Sequence, residues 1–360
     1  MRNTLGHNIT LTLFGESHGP YVGATVDGLP GGVKVDEDNI RALLAKRRPH
    51  GDGETPRVEK DEFQIISGVF NGYTNGEAVT IIIPNTNTHS SDYQSNLARP
   101  GHADYVANEK YHGFQDYRGG GHFSGRITAA IVAAGAIVLD MLAAKQIAIG
   151  AHIEQLGTIK DARFDPIFPE IEQVNAKDYP TIQDLAATMQ AEAEYAGTEH
   201  DSIGGIVEAA IKGLPIGIGE TWFSSLDGEL ANAMLSLGAV KGIEFGAGFE
   251  LASMKGSEAN DPLWMEADKA ITTSNNAGGV NGGMSNGMPV IYRMVIKPTP
   301  SIGIEQNTVD MKAKENATIA VKGRHDPAIV RRIVPVVRAL SAFVVADLLS
   351  LQYGREYFAK

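Results

Sequence analysis

Ile9, Leu11 and Leu13 alternate with Thr10 and Thr12, a period of two that predicts a half-buried strand ending at Gly15. Asp36 is placed to cap a short helix with Ile40, Leu43 and Leu44 on one face, running into Arg47-Arg48 and stopped by Pro49. Val79 to Ile83 reads as a buried strand. Arg126 to Gln146 reads as a long Ala-rich helix, apolar nearly all round and therefore central. Residues 158–180 look irregular, and Thr181 with Asp184 predicts a capping box opening an exposed helix that runs to Tyr195. Ile206 to Ile211 and Val290 to Lys297 read as strands, and Asp227 as the cap of a helix carrying Leu230, Met234 and Leu237. Pro327 starts the last helix, whose apolar positions run to Leu351, with Pro335 expected to kink it. Helices and strands alternate irregularly, and no linker, repeat or low-complexity tract divides them. The expectation is one α+β domain over residues 1–360 rather than a doubly wound sheet.

Composition narrows the function. The chain has 360 residues and a formal net charge of −12, which argues against general nucleic-acid binding but leaves room for a local positive pocket. It has no cysteine, which removes disulfides, thiolate metal sites and a thiol nucleophile and fits a reducing cytoplasm. The N-terminus shows no apolar signal-peptide core, and the apolar stretch from Ile127 to Leu139 is too short to span a bilayer. The expectation is a cytoplasmic protein with neither membrane nor nucleic-acid partner.

Four segments combine turn chemistry with cations and imidazoles: Gly15-Glu16-Ser17-His18-Gly19, Arg99-Pro100-Gly101-His102-Ala103-Asp104, Arg118-Gly119-Gly120-Gly121-His122-Phe123-Ser124-Gly125-Arg126, and Gly323-Arg324-His325-Asp326-Pro327. Consecutive glycines let backbone approach a ligand closely. Histidine suits proton transfer near neutral pH, and arginine grips phosphate or carboxylate through paired hydrogen bonds. If the four converge, they form a site for a small, multiply anionic molecule. Each histidine also has a plain structural reading: a turn residue at His18, a helix cap at His102, solvent-exposed neighbours of arginine at His122 and His325. Arg331 and Arg332 fit a solvated helix face best. Metal binding is not expected, because no close histidine pair or acidic cluster accompanies the imidazoles. The amide-rich run from Asn275 to Gly287, with Lys297-Pro298-Thr299-Pro300-Ser301 beyond it, fits either a wall for a second phosphorylated ligand such as a flavin mononucleotide or a pair of long surface loops.

In order and spacing, these segments resemble the signatures of the chorismate synthase family, with Val26-Asp27-Gly28-Leu29-Pro30 extending the first. The resemblance covers the chain to about residue 350. It implies a β-α-β sandwich with long central helices between antiparallel sheets, assembled as a homotetramer. It implies a lyase that converts 5-enolpyruvylshikimate 3-phosphate to chorismate and phosphate by 1,4-anti elimination. It also implies a requirement for reduced FMN, supplied by an external NAD(P)H-dependent reductase. Carried over by position, His18 serves the departing phosphate, His102 holds a proton near the flavin and Asp326 moves one from it. Ser17, Arg47, Arg48, Arg99, Ser124, Arg126 and Arg324 hold the substrate. His122, Phe123, Ser124, Gly238, Ala239, Gly282, Lys297, Pro298, Thr299, Pro300, Ser301 and Arg324 line the flavin.

The chain departs from its relatives at three places. His122-Phe123-Ser124-Gly125-Arg126 stands where many have Arg-Ser-Ser-Ala-Arg, Gly53 stands where they carry an arginine, and Arg338 replaces a glutamate. Arg57 either substitutes for that missing arginine or does not, and the sequence leaves both readings open. A flavin oxidoreductase and a non-enzymatic flavin- or anion-binding module are the competing readings.

Overall fold

The computed structural model describes residues 3–51, 53–57, 59–88, 94–321 and 326–359. Two five-stranded antiparallel sheets enclose a layer of helices. The first contains β1 (Thr4–Leu5), β2 (Thr10–Gly15), β3 (Tyr21–Asp27), β4 (Gln64–Ser67) and β5 (Val79–Pro84), in the order β1-β2-β3-β5-β4. The second contains β6 (Ala148–Leu156), β7 (Ile159–Lys160), β8 (Gly205–Lys212), β9 (Val240–Phe245) and β10 (Val290–Ile296), in the order β9-β10-β8-β6-β7. Between them lie α1 (Glu37–Arg47), α3 (Thr128–Ala143), α6 (Leu226–Leu235) and α7 (Val330–Tyr353); α2 (Asp104–Lys110), α4 (Ile171–Ala176) and α5 (Ala186–Thr198) lie outside that layer. A separate hairpin pairs β11 (Gln306–Asp310) with β12 (Glu315–Ile319).

Alternation decides which face of each sheet meets the helices. Val22, Ala24 and Val26 of β3 and Val79, Ile81 and Ile83 of β5 are buried, as are Ile149, Ala151 and Ile153 of β6. α3 packs on β3 and β5 on one side and against α7 on the other, while α7 reaches β6 and β8. This explains why α3 is apolar all round: both flanks are covered. Gly125–Ala143 and Val330–Tyr353 are long and apolar enough to cross a membrane, contrary to the shorter stretch read from the sequence, yet both are largely buried in the core.

The outer face of the second sheet is also covered. The excursion after β7 lays Phe164, Ile171 and Val174 on Ala210 and Ile291. It is pinned by His152, whose Nε2 lies 2.8 Å from Glu208, with Asp161 on its other nitrogen. Asp161 in turn accepts from the backbone of Ile182 and Gln183.

Two helix starts differ from expectation. Thr181 is buried and donates its hydroxyl to the carbonyl of Gln183, so it caps nothing, and α5 begins at Ala186 with Met189, Ala193 and Ala196 buried. Ser225, not Asp227, caps α6 by accepting from the Gly228 N–H. The last helix begins at Val330 and holds Pro335 within it. Asp36 does cap α1, accepting from the N–H groups of Asp38 and Asn39.

The α3–α7 crossing depends on Gly135, where an added Cβ would lie 2.4 Å from the Cβ of Ala339. Gly135→Ala should therefore destabilise the protein by about 1–3 kcal/mol through overpacking. Denaturant unfolding checks this, and an unchanged midpoint would contradict the tight crossing.

Candidate active site

The glycine run is the centre of the site. Gly119 (φ 60°) and Gly120 (φ 81°) adopt the left-handed conformation that only glycine takes without strain. A Cβ on Gly119 would lie 2.5 Å from Cδ2 and Nε2 of His18 and 2.8 Å from the hydroxyl of Ser17. A Cβ on Gly120 would lie 3.4 Å from Nε2 of His102. Two imidazoles from distant loops thus rest on adjacent bare residues. The Ser17 N–H donates to the carbonyl of Gly121 at 3.1 Å, fixing the first loop to the turn. A cavity of about 240 Å³ opens beside Gly120 and Phe123, with Arg99, Asp104, Tyr117 and the end of β12 in its wall. His18, His102, Arg47, Arg126 and Asp326 are not in that wall.

His102 sits in a charged clamp. Its Nδ1 is 2.7 Å from Asp104 Oδ1, and Arg99 binds both oxygens of the same carboxylate at 2.7 and 2.8 Å. The shortest contact of Nδ1 is to the carboxylate, which favours the proton on that nitrogen and leaves Nε2 towards Gly120. Burial opposes ionisation of Asp104, but the hydrogen bonds from Arg99 and His102 outweigh it and hold the carboxyl well below its usual range.

The Lys297–Ser301 segment packs on this clamp. Arg99 donates to the Ser301 hydroxyl at 3.1 Å, and the Lys297 ammonium donates to the Gly101 carbonyl at 2.6 Å. The Lys297 N–H reaches the carbonyl of Ala239, and a Cβ on Gly238 would lie 4.0 Å from the Phe123 carbonyl. Pro300 flanks Gly101, Pro298 flanks Gly204, and the Thr299 hydroxyl donates to the Asp326 carbonyl at 2.8 Å. His122 lies over Phe123 with ring centroids 4.1 Å apart, both exposed, and Ser124 caps the next turn by accepting from the Arg126 N–H. The carbonyl of Gly283, beside Gly282, accepts from the N–H of Leu226, the first residue of α6, and Gly238-Ala239 follow that helix's last turn. The Asn275 run is stitched to itself and to Asp261, as packed loops are.

Arginines collect on buried Asp61. Arg126 pairs with Oδ1 and also donates to the Asn85 side chain and the Pro84 carbonyl, so its nitrogens are engaged within the protein. Arg47 and Arg48 approach Oδ2 at 3.7 and 3.6 Å. Burial lowers the Arg47 pKa to about 9, Asp61 opposes this, and Arg332, Arg126 and Arg57 reinforce it. Arg57 donates to the hydroxyl of Ser17 at 2.8 Å and pairs with Glu59 at 2.9 Å. Arg332 pairs with Asp326. Burial raises the Asp326 pKa, with Arg332 opposing, and its Oδ1 meets no hydrogen-bond partner among the described residues. Within this cluster five guanidiniums face three carboxylates, leaving a surplus of two positive charges to attract an anion. Arg324 and His325 lie outside the described residues. Among the described residues, no group of three histidines or carboxylates is placed to hold a metal.

The family model for chorismate synthase matches residues 9–350. The chorismate synthase of Methanococcoides burtonii is 46% identical over 96% of this chain and 95% of its own length. That of Dehalococcoides mccartyi is 44% identical over 97% and 96%. A crystal structure of chorismate synthase superposes with a TM-score of 0.77 at 27% identity, covering 97% of this chain and 94% of that one. The chain belongs to the chorismate synthase family. It is an enzyme of chorismate formation, in the shikimate pathway, with that family's fold.

Several members of this chorismate synthase site escape sequence reading. Asp61 sits in no motif. Arg331, expected on a solvated face, is buried against Glu54 with both carboxylate oxygens engaged. Arg332 is likewise an ion-pair partner. Arg57, already a candidate for the role missing at Gly53, donates to the Ser17 hydroxyl. Position 53 cannot house an arginine with α5 in place, since a Cβ there would be 2.9 Å from that of Ala193.

The depressed pKa of Asp104 sets an acid limit. Its contribution to stability is complete above the unfolded value of about 3.9 and is lost as pH falls towards the folded value. Asp104→Asn should reduce stability at pH 7 and flatten the loss below about pH 4. Unfolding curves across that range would refute the clamp if both proteins fell in parallel.

Proposed function

We propose that this enzyme converts 5-enolpyruvylshikimate 3-phosphate to chorismate and inorganic phosphate by 1,4-anti elimination, with reduced FMN bound beside the substrate. The observation that carries the reading is the pair of imidazoles on adjacent glycines next to a surplus of arginine charge. The substrate bears one phosphate and two carboxylates, which that surplus suits. Arg47 and Arg48, which stand 3.7 and 3.6 Å from the Asp61 carboxylate, are the cations with least of their charge committed to one partner, and they take the anions. Arg126 holds Asp61 and the loop at Pro84, so that the cations keep their spacing.

The carbon–oxygen bond to phosphate breaks, and His18, beside Ser17 and Arg57, supplies a proton to the leaving oxygen. A hydrogen leaves the ring on the opposite face, and the net reaction is redox-neutral. Asp326 receives a proton on Oδ1, the oxygen not held by Arg332. His102 is held by Asp104 with Nε2 towards the reacting region. Reduced FMN, when bound there, would supply electron density as the phosphate departs and would accept the hydrogen. The residues present suit such a group: a lysine, two hydroxyls, an exposed Phe123 and side-chain-free Gly238 lie together. A cytoplasmic homotetramer drawing reduced flavin from an external NAD(P)H-dependent reductase, without nucleic-acid or membrane partner, completes the reading.

Anaerobic incubation with reduced FMN and 5-enolpyruvylshikimate 3-phosphate should release phosphate and chorismate in equal amounts without net consumption of reductant. Steady NAD(P)H consumption with reduction of a small acid would replace this reading with an oxidoreductase. His18→Ala should lower turnover by about 10²–10⁴-fold. His102→Ala and Asp326→Ala should cut turnover far more than flavin affinity, and equal loss of both would reassign them to ligand holding.

A further inference from the structure

Helix α1 ends in carbonyls that have no partner within the helix. Two consecutive arginines on the first turn of α7 bind three of them in a row. Arg331 donates to the carbonyl of Lys46 at 2.8 Å and to that of Arg48, and Arg332 donates through Nε to the carbonyl of Arg47 at 3.2 Å. Arg331 is neutralised by Glu54, which also accepts from the His50 N–H at 2.7 Å. Arg332 is neutralised by Asp326.

We propose that Arg332 is a positioning residue for the reaction, its single guanidinium binding the Asp326 carboxylate through Nη1 and the Arg47 backbone through Nε. The proton-transfer end and the anion-binding end of the site thereby share one rigid planar group. The inference rests on the reading that Asp326 handles a proton and Arg47 an anion. Three further features support it. The Arg332 side chain is only 18% exposed, which does not fit a solvated helix face. The fork geometry of guanidinium can hold two acceptors at fixed angles, which an ammonium cannot do. The Asp326 backbone is separately anchored by the Thr299 hydroxyl, so the carboxyl has few ways to move.

The charged groups facing Asp326 are Arg332 from α7 and Glu54 from the loop after α1, with the backbone of Thr55 beside them. Glu54 and burial both favour the protonated carboxyl, and Arg332 is the opposing charge. Loss of Arg332 therefore raises the proton affinity of Asp326 and leaves the end of α1 less constrained.

The test uses the full-length protein without flavin or substrate. The infrared band of the protonated Asp326 carboxyl, assigned by its absence in Asp326→Asn, is followed against pH. Binding of inorganic phosphate is measured by calorimetry. In Arg332→Gln the carboxyl midpoint should rise by about one pH unit or more, and phosphate binding should weaken by roughly tenfold. An unmoved midpoint accompanied only by a lower melting temperature would overturn the proposal. Should Arg332→Gln not fold, Arg332→Lys decides. Its midpoint should stay near the wild type while phosphate affinity falls, and equality with wild type in both would reject the role. Absence of phosphate release from the wild-type enzyme would instead count against the proposed reaction, leaving the titration result intact.

Discussion

The site depends on backbone without side chains. Gly119 and Gly120 stand where two loops bring their imidazoles, and the clearance at Gly119 is too small for a single methyl group. Any other residue there would push His18 and Ser17 away from the turn and add left-handed strain to the backbone. The close approach lets His18 from the β2–β3 loop and His102 from the loop before α2 converge, although they are 84 positions apart in sequence. Ser17 then carries Arg57 with it, and Arg99 carries Ser301 and the Lys297 segment.

Charge is arranged around that point by the layers of the fold. α1 delivers Arg47 and Arg48 at its C-terminal end, where cations also suit the helix dipole. The start of α3 delivers Arg126, and the start of α7 delivers Arg331 and Arg332. Asp61 and Glu54 are buried and take up part of this charge, which lets several guanidiniums lie close together without mutual repulsion driving them apart. The residual positive charge marks the place for an anion inside a protein that is acidic overall.

Much of this was legible in the sequence, for physical reasons. The strands at 10–15, 79–84 and 290–296 show the period of two or the apolar run that burial demands, and α3 is apolar on all sides because the first sheet covers one flank and α7 the other. The four glycine- and histidine-bearing segments were visible because turn chemistry and imidazoles rarely coincide by chance. What stayed hidden depends on tertiary pairing. Nothing local at Asp61 shows that three arginines meet it. Arg331 and Arg332 look like a solvated pair until the end of α1 is seen against them. Thr181 and Asp227 matched capping patterns, but burial gave Thr181 another partner and Ser225 lay closer to the helix start.

The most direct test of the account is the turnover of Gly119→Ala, measured as phosphate and chorismate release with reduced FMN, alongside its thermal unfolding. The account predicts loss of at least about 100-fold in turnover, on the scale of removing a proton-transfer group, in a protein that still folds. Near-normal turnover in that variant would show that His18 does not need its place on the bare backbone, and would contradict the site described.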